Sequence, residues 1–487
     1  MQGFDVLVVG GGVNGAGIAR DLTGRGYSVL LAEQGDLAQA TSSSSSKLIH
    51  GGLRYLEHYE FRLVREALGE REVLLRLAPH IIWPLRFVLP HRPEMRPRWM
   101  IRAGLFLYDH LARRVSLPGA QSFLTAQNPM GDALKPEITH AFAYSDAWVE
   151  DSRLVLLNAL DAKRRGADIR TRTRFEEATR HADAWEVTLR GADAQAQRIR
   201  VRGIVNAAGP WVQRALDAAH ASKPGAVRLI RGSHIVLPRL YEGEHAFILQ
   251  NDDRRVVFVI PYEQNFSLIG TTDVPHEGDA AGAHCTPEEA EYLCAAVSRQ
   301  FRREITPAEI IWSYSGVRPL FDDGTDDPSA ITRDYVLKLD TSAAPLLSVY
   351  GGKITTFRRL AEEATGQMAR ALGREGAPWT ATATLPGGDL GGKSIAEFAA
   401  GMARALPFLD PATLPRLVRT HGSELPRVFA GGSAGAALGA GLTEVELDWM
   451  RREEWARTAE DVLWRRTKLG LHMSEAERAG VASRMGG

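Results

Sequence analysis

The hydrophobic pattern predicts a buried strand at the start of the chain. Residues 4–9 form a short, nearly continuous apolar run rich in valine, which is typical of a strand covered on both faces in a parallel sheet. A helix of small residues is predicted at 16–22, and a second apolar strand at 27–32 ends at Glu33. Strand, helix and strand within about 30 residues predict a βαβ unit.

This alternation of strands and helices returns later in the chain. A helix is predicted from 151, a strand at 203–206 leads into Gly209, and another strand at 346–350 ends in glycines. Between 231 and 335 the pattern changes to short strands with polar breaks, at 234–237, 255–260 and 266–270, which is typical of an antiparallel sheet. From about 395 the pattern is helical.

Composition excludes several classes of protein. With 44% hydrophobic and 24% charged residues, the 487-residue chain has the makeup of a globular protein of two to four domains, not of a disordered or fibrous one. The formal net charge of +0 argues against a dedicated nucleic-acid-binding protein, so no nucleic acid is expected as a partner. Cys285 and Cys294 do not form a C-x-x-C pair, and no metal site is expected.

The N-terminus lacks the residue order of a signal peptide. No window of about 18 residues is apolar and uncharged, so we expect no transmembrane helix, and any membrane contact should be peripheral.

A glycine motif between the first strand and helix predicts a dinucleotide site. Residues 10–15 read GGGVNG, which fits G-x-G-x-x-G. Gly10 permits a tight turn, Gly12 lets the backbone approach a pyrophosphate, and Gly15 lets the helix pack on the sheet. Glu33, 18 residues after Gly15, is placed to accept hydrogen bonds from a ribose and disfavours NADP. The motif alone does not separate FAD from NAD, and a glycine turn without a ligand is the other interpretation.

The segment after Glu33 is unusual. A run of five serines at 42–46 leads through Lys47 into His50, two glycines and Arg54. A serine run is usually a flexible linker, but this one lies inside a nucleotide-binding unit. Small hydroxyl residues and glycines let backbone N–H groups reach a pyrophosphate or a flat ring system, so we interpret it as cofactor-binding.

These motifs together resemble the aerobic, FAD-dependent glycerol-3-phosphate dehydrogenases. The resemblance runs nearly end to end, although 373–396 and the segment after 471 carry little that matches. The matching stretches are 10–17, 40–47, 50–57, 206–211, 231–234, 270–273, 315–320, 351–357 and 454–468.

The resemblance implies FAD as the cofactor and an α/β fold: a Rossmann-like FAD-binding domain with an antiparallel-sheet substrate domain and a C-terminal helical domain. The expected domains are FAD-binding segments at 1–80, 150–230 and 336–372, a mixed helical insertion at 81–149, the substrate sheet at 231–335 and the helical domain at 395–487. The residues expected to bind FAD are Gly10, Gly12, Asn14, Gly15, Glu33, Thr41, Ser42, Ser43, Ser46, His50, Gly51, Ala208, Gly209, Gly352, Lys353, Ile354 and Thr355.

The implied substrate is sn-glycerol 3-phosphate, and the implied reaction is hydride transfer from its middle carbon to the flavin. A doubly negative phosphate calls for fixed cations, for which arginine forks are well suited. The expected substrate-binding residues are Arg54, Tyr55, Thr271, Arg318, Arg333 and Lys353. His234 is the candidate base and, with Arg318, the expected catalytic pair. His50 and an arginine remain alternatives for the base.

The resemblance further implies a membrane quinone as electron acceptor, peripheral attachment to the inner face of the cell membrane of a cytoplasmic enzyme, and a homodimer. Residues 84–114, with seven arginines and two acids among aromatic residues, and residues 354–372 are candidate membrane-facing segments, and for each an ordinary solvated helix is the alternative. Two other functions stay open: an FAD-dependent amine or amino-acid oxidase, and a non-catalytic FAD-fold binding module.

Overall fold

A computed structural model describes residues 2–112, 114–253, 255–322 and 334–486. The helices in these ranges are α1 (Val13–Gly24), α2 (Phe61–Leu77), α3 (Arg98–His110), α4 (Asp151–Arg164), α5 (Val212–Ala218), α6 (Pro287–Ser298), α7 (Phe357–Ala371), α8 (Ile395–Ala405), α9 (Leu414–His421), α10 (Leu425–Val428), α11 (Glu444–Glu453) and α12 (Glu475–Met485).

The strands in the same ranges are β1 (Gln2–Val9), β2 (Val29–Ala32), β3 (Leu48–Ile49), β4 (Ile82–His91), β5 (Gln121–Leu124), β6 (His140–Val149), β7 (Asp168–Arg170), β8 (Arg174–Arg180), β9 (Trp185–Arg190), β10 (Ala196–Asn206), β11 (Ala226–Pro238), β12 (Ala246–Gln250), β13 (Val256–Tyr262), β14 (Phe266–Gly270), β15 (Val274–Pro275), β16 (Trp312–Asp322), β17 (Val336–Asp340), β18 (Leu346–Tyr350), β19 (Ala437–Gly439) and β20 (Leu442–Thr443).

The first sheet has the order β17-β18-β10-β1-β2-β7. Its central strands β18, β10, β1, β2 and β7 are parallel, while β17 pairs antiparallel with β18. Helix α1 packs against α4 and α7 on one face, around the fully buried Ile18 and Leu360. Because the parallel strands end at one edge, Gly10, Glu33, Ala207 and Gly351 follow four of them there.

The second sheet has the order β15-β11-β14-β13-β12-β4-β6-β3, with β16 added to β11 and β5 to β6. Its pairs are antiparallel apart from β12 and β4. The fold class predicted from the sequence is thus confirmed: an α/β nucleotide-binding unit, a largely antiparallel second sheet and a helical C-terminal part.

Residues 81–149 differ from the expected mixed helical insertion, because β4, β5 and β6 are strands of the second sheet. The two prolines of β4 obscured the strand pattern, since proline cannot donate to a sheet ladder. In the structure β4 pairs with β12 only at Phe87 and Val88, so Pro84 and Pro90 flank the part that is paired on both sides. Helix α3 is the helical part of this segment.

The C-terminal part is a helical unit anchored to the first sheet by buried ion pairs. Helices α8–α11 surround one apolar cluster that includes Leu417 and Leu425, and α12 borders another. Arg153 of α4 binds Glu454 at 2.8 Å, and Arg465 and Arg466 both bind the buried Asp36. Removing one partner of such a pair strongly destabilises a fold, so these contacts fix the C-terminal unit in place.

Candidate active site

A cavity of about 1130 Å³ lies between the carboxyl edge of the first sheet and one face of the second. Residues from both groups expected from the sequence line it. The cofactor group contributes Gly10, Gly12, Asn14, Glu33, Thr41, Ser42, Ser46, His50, Ala208, Gly209, Gly352, Lys353, Ile354 and Thr355, and the substrate group contributes Arg54, Tyr55, Thr271, Arg318 and His234.

One end of the cavity is a cradle of backbone. Gly10 has φ +106°, and a Cβ there would lie 2.6 Å from the carbonyl oxygen of Ala207. A Cβ on Gly12 would point at Ser42 Oγ, 3.1 Å away, and the N–H of Val13 donates to that hydroxyl at 3.0 Å. Only glycine fits the first position, and the missing side chains leave the helix N-terminus open to a ligand.

Two polar side chains complete this cradle. The Glu33 carboxylate accepts hydrogen bonds from the backbone N–H groups of Gly11 at 2.6 Å and Gly35 at 2.7 Å, and burial raises its pKa. Asn14 Nδ2 donates to the carbonyl oxygen of Gly351 at 3.1 Å, while its buried Oδ1 has no partner among the described residues. An unpartnered buried acceptor beside an open helix terminus fits a bound dinucleotide.

Three residues expected to touch the cofactor do not line the cavity. A Cβ on Gly15 would lie 1.9 Å from the carbonyl oxygen of Gly10, so this glycine serves helix packing. The Ser43 hydroxyl donates to the carbonyl oxygen of Ala40 at 3.3 Å, and the N–H of Gly51 donates to Tyr108 Oη at 2.9 Å. Each lies one residue from a lining position, a difference that sequence patterns do not resolve.

The other end of the cavity is positively charged. Lys353 Nζ lies 4.0 Å from the centre of the Tyr55 ring, and Arg54, the residue before Tyr55 in the chain, also lines the cavity. Arg318 is 44% exposed and donates to Asp273 at 3.1 Å and to the carbonyl oxygen of Thr272 at 3.3 Å. Arg333 lies outside the described residues.

Strand register brings His234 and Arg318 to the same face. In the β11–β16 pair, Ile230 is opposite Arg318 and His234 is opposite Tyr314, and residues two apart share a face. Gly232 leaves room between them, because a Cβ there would lie 2.5 Å from Thr271 Oγ1 and 3.2 Å from Arg318 Nη2. The arrangement places a histidine, a threonine hydroxyl and a guanidinium on one wall.

His234 is a neutral histidine near pH 7. Its Nε2 shares a hydrogen bond with Ser46 Oγ at 2.8 Å, and its ring stacks on Tyr314 with centroids 4.8 Å apart. Burial, with the positive charges of Lys47 and Arg318, lowers the pKa of His234 to about 3. An uncharged imidazole is able to accept a proton, and a bound anion would raise this pKa by offsetting the two cations.

His50 and the unforeseen Asp146 line the cavity together. The N–H of His50 donates to Thr355 Oγ1 at 3.2 Å, and burial lowers the pKa of its imidazole. Asp146 accepts from Tyr108 Oη at 2.8 Å and from Arg71 at 2.7 Å. Sequence patterns missed Asp146 because it lies within β6, 96 residues from His50, and no motif marks it.

Comparison with known proteins agrees with this geometry. The family model "FAD dependent oxidoreductase" matches residues 5–358, which include the whole cavity lining. The chain belongs to the FAD-dependent oxidoreductase family. A second model, "C-terminal domain of alpha-glycerophosphate oxidase", matches residues 378–484 of this family member and covers the helical C-terminal unit.

Three relatives of this FAD-dependent oxidoreductase cover nearly the whole chain at about half identity. It is 53% identical to "Glycerol-3-phosphate dehydrogenase" of Pseudomonas aeruginosa, over 98% of this chain and 93% of the relative. It is 48% identical to "Aerobic glycerol-3-phosphate dehydrogenase" of Escherichia coli (99% and 97%), and 49% identical to "D-erythritol 1-phosphate dehydrogenase" of Brucella abortus (98% and 96%).

Among solved structures, the FAD-dependent oxidoreductase fold extends over the whole chain. A glycerol-3-phosphate dehydrogenase from Bacillus halodurans complexed with FAD superposes with a TM-score of 0.78 at 24% identity, covering 99% of this chain and 94% of that one. FAD is therefore the cofactor that this chain shares with its family, and the glycine cradle, Glu33 and Asn14 fit it.

Proposed function

We propose that this chain oxidises sn-glycerol 3-phosphate to dihydroxyacetone phosphate with FAD as the acceptor. This proposal is carried by one observation: a single cavity is lined both by a dinucleotide cradle and by Arg54, Arg318, Lys353 and His234. The names of the Pseudomonas aeruginosa and Escherichia coli relatives support the same substrate.

The cofactor end would hold FAD through backbone groups around Gly10, Gly12 and the serine segment. We assign to FAD the lining residues of that end, with Glu33 for the ribose, and leave Gly15, Ser43 and Gly51 as residues that shape the cradle. When bound, FAD supplies the acceptor for the hydride that leaves the middle carbon of the substrate. Lys353, which lines the same cavity, brings positive charge to the cofactor.

The second sheet, with the segments that follow β3 and β18, would hold the substrate. Arg54, Arg318 and Lys353 offer three cations to a phosphate dianion, and Arg318 has a planar fork that binds two phosphate oxygens at once. Tyr55 and Thr271 add hydroxyl groups to the lining of the same cavity. Arg333, outside the described residues, stays a proposed further phosphate ligand.

His234 would accept the proton that the substrate hydroxyl loses as the carbonyl forms. Its imidazole is neutral in the empty site, because burial and two nearby cations depress its pKa to about 3. A bound phosphate would offset those cations and make the ring a stronger base when the substrate is present. His50 is the competing base, and the hydrogen bond from its backbone N–H to Thr355 Oγ1 places this residue among those expected to bind the cofactor.

A second candidate substrate is D-erythritol 1-phosphate, since a relative that carries its name is 49% identical. Both molecules end in a phosphate monoester, so the cation cluster alone does not separate them. The amine or amino-acid oxidase alternative rests on fold alone: a glycine oxidase from Bacillus cereus superposes with a TM-score of 0.56 at 17% identity. Three cations also exceed the needs of one carboxylate.

Anaerobic addition of each substrate to the purified yellow protein tests these functions. We expect glycerol 3-phosphate to bleach the flavin and glycine to leave it oxidised. Faster bleaching by D-erythritol 1-phosphate would transfer the assignment to the second candidate. No bleaching by either phosphate ester would overturn both and favour a non-catalytic FAD-binding module.

We further propose that the electrons pass to a membrane quinone from a homodimeric enzyme attached to the inner face of the cell membrane. The described residues contain no helix long and apolar enough to cross a bilayer. Of the two candidate segments, α3 is the better surface: Trp99 is 69% and Phe106 61% exposed, and Arg98 and Arg102 lie on the same helix. Helix α7 has no exposed large hydrophobic residue.

Flotation with vesicles of anionic phospholipid tests this attachment. Trp99→Glu with Phe106→Glu should release the holoenzyme from vesicles and slow quinone reduction while leaving flavin reduction unchanged. Phe408→Glu, at another exposed phenylalanine, is the matched control. Unchanged flotation of the α3 variant would show that α3 is not the surface that binds the membrane.

A further inference from the structure

Lys47, at the end of the serine run, is completely buried. Its Nζ lies 2.8 and 2.9 Å from the two carboxylate oxygens of Asp151, which is also completely buried, and 3.0 Å from the carbonyl oxygen of Ser43. The backbone at Lys47 has φ +58°, an uncommon conformation for a residue with a side chain. Burying a lysine and bending its backbone are both costly, so neither feature is incidental.

Asp151 holds the serine segment from the other side. It accepts hydrogen bonds from Ser45 Oγ at 2.8 Å and from the backbone N–H of Ser45 at 3.3 Å, in addition to Lys47. As the first residue of α4, Asp151 is fixed by the core of the first sheet. The Lys47–Asp151 pair therefore pins both Ser43 and Ser45 to a rigid helix.

The pinned segment contacts His234 directly through Ser46 and indirectly through Tyr314 of β16. Ser46 Oγ lies 2.8 Å from His234 Nε2. Tyr314, whose ring stacks on His234, donates its hydroxyl hydrogen to the carbonyl oxygen of Ser45 at 2.8 Å, and Lys47 Nζ lies 5.2 Å from the centre of that ring. Both neighbours of the imidazole are thus set by the loop that the ion pair holds.

Lys47 and Asp151 themselves do not line the cavity, so they have no direct contact with a substrate there. We propose that the buried Lys47–Asp151 pair is a positioning device for His234, holding the serine segment so that the imidazole keeps its orientation and stays uncharged. This inference rests on the proposed function of His234 as proton acceptor. Lys47 contributes to the low pKa of His234, which agrees with the assignment.

A different result is expected if the ion pair only stabilises the fold and does not position His234. Replacing a whole buried ion pair with apolar residues often restores or raises stability. If Lys47 and Asp151 only stabilise the fold, Lys47→Met with Asp151→Leu should recover stability and rate together. If they position His234, the double variant should recover stability while the rate of flavin reduction stays low.

Stopped-flow flavin reduction by glycerol 3-phosphate, measured against pH in FAD-loaded protein, is the test. Lys47→Met should slow reduction about 100-fold at saturating substrate. The acid limb of its pH profile should move to higher pH, because removing a cation makes the imidazole easier to protonate. Ser45→Ala removes one hydrogen bond to Asp151 without leaving a buried charge unpaired. It should slow flavin reduction about 10-fold.

A double-mutant cycle with His234→Ala isolates the route of the effect. Because Lys47 acts through His234, Lys47→Met should add little further loss in the His234→Ala background. Arg20→Met, which breaks another buried pair on α4 through Asp161, is the matched control and should lower stability without moving the pH profile. Additive losses in the cycle, or wild-type kinetics in FAD-loaded Lys47→Met and Ser45→Ala, would overturn the proposal.

Failure of the proposed function is a separate result. If glycerol 3-phosphate does not reduce the flavin of the wild-type protein, the proposed function is wrong, and with it the role of His234 as proton acceptor. If the wild type is reduced and the Lys47 and Ser45 variants are reduced at the same rate, only the positioning role of the ion pair is wrong. Should Lys47→Met fail to retain FAD, the double variant with Asp151→Leu and Ser45→Ala carry the test.

Discussion

The two ends of the cavity are built in different ways. The centre of the cofactor end is backbone from one stretch, with Gly10, Gly12 and Glu33 inside the first βαβ unit, and residues after β10 and β18 complete it. The substrate end is mainly side chains from distant segments, with Arg54 and Arg318 separated by more than half of the chain. Backbone shape tolerates almost no added atom, whereas a cluster of side chains loses function in graded steps.

The largest expected effect therefore lies in the cofactor end, because a protein without FAD has no acceptor for the hydride and no flavin reduction at all. Gly15→Ala would place a Cβ 1.9 Å from the carbonyl oxygen of Gly10, and the neighbour is backbone that has little room to move. We expect a loss of about 3 kcal/mol in the free energy of unfolding, with loss of bound FAD. Thermal unfolding and flavin absorbance measure both quantities.

Gly69→Ala is the control for this change, since a Cβ on that helical glycine meets nothing within 4 Å. It should stabilise the protein by up to about 1 kcal/mol. A Gly15→Ala protein with normal stability and a full content of FAD would show that the backbone of the cofactor end accommodates an added methyl group. The two ends would then not differ in their tolerance of substitution.

The next effect is catalytic. His234→Ala should lower the rate of flavin reduction about 1000-fold while FAD and folding are retained, because general-base catalysis is removed and the cradle is untouched. Stopped-flow absorbance at saturating glycerol 3-phosphate measures this rate. His220→Ala, at a solvent-exposed histidine, should match the wild type. An unaltered rate in His234→Ala would assign the base role to another group.

A smaller effect is expected in substrate binding. Arg318→Ala should weaken binding of glycerol 3-phosphate about 100-fold, because a charge-assisted bidentate contact is lost while two cations remain. FAD content should not change. Arg303→Ala, which breaks an exposed ion pair with Glu309, is the control. An unchanged KM in Arg318→Ala would remove that arginine from the phosphate site.

The smallest effect concerns acid stability and lies outside both ends. Burial lowers the pKa of His80 to about 3, so its stabilising contribution is complete above its unfolded pKa near 6.5 and is lost as pH falls towards 3. His80→Gln should therefore lose about 2 kcal/mol less stability than the wild type between pH 6.5 and 5. Melting temperature against pH measures this, and parallel curves would contradict it.

The contrast between the two ends also sets how much the sequence predicts. The glycine motif and the carboxylate after β2 are readable because they lie close together within the first βαβ unit and each glycine is required by the backbone conformation. The roles of Lys47 and Asp151 were not readable, because 104 residues separate the partners and burial reverses the usual expectation for charged side chains. The strand β4 was missed for a related reason: its prolines lie beside a pairing with β12 that only the tertiary fold reveals.

We expect the cationic end to make the flavin cavity selective for a phosphate ester. The most direct measurement compares the efficiency of anaerobic flavin reduction by glycerol 3-phosphate with that by glycerol, in the wild type and in a variant combining Arg54→Ala with Arg318→Ala. We expect a large preference for the phosphate ester in the wild type and its near disappearance in the variant. Equal reduction by glycerol in the wild type, or an undiminished preference in the variant, would contradict the account.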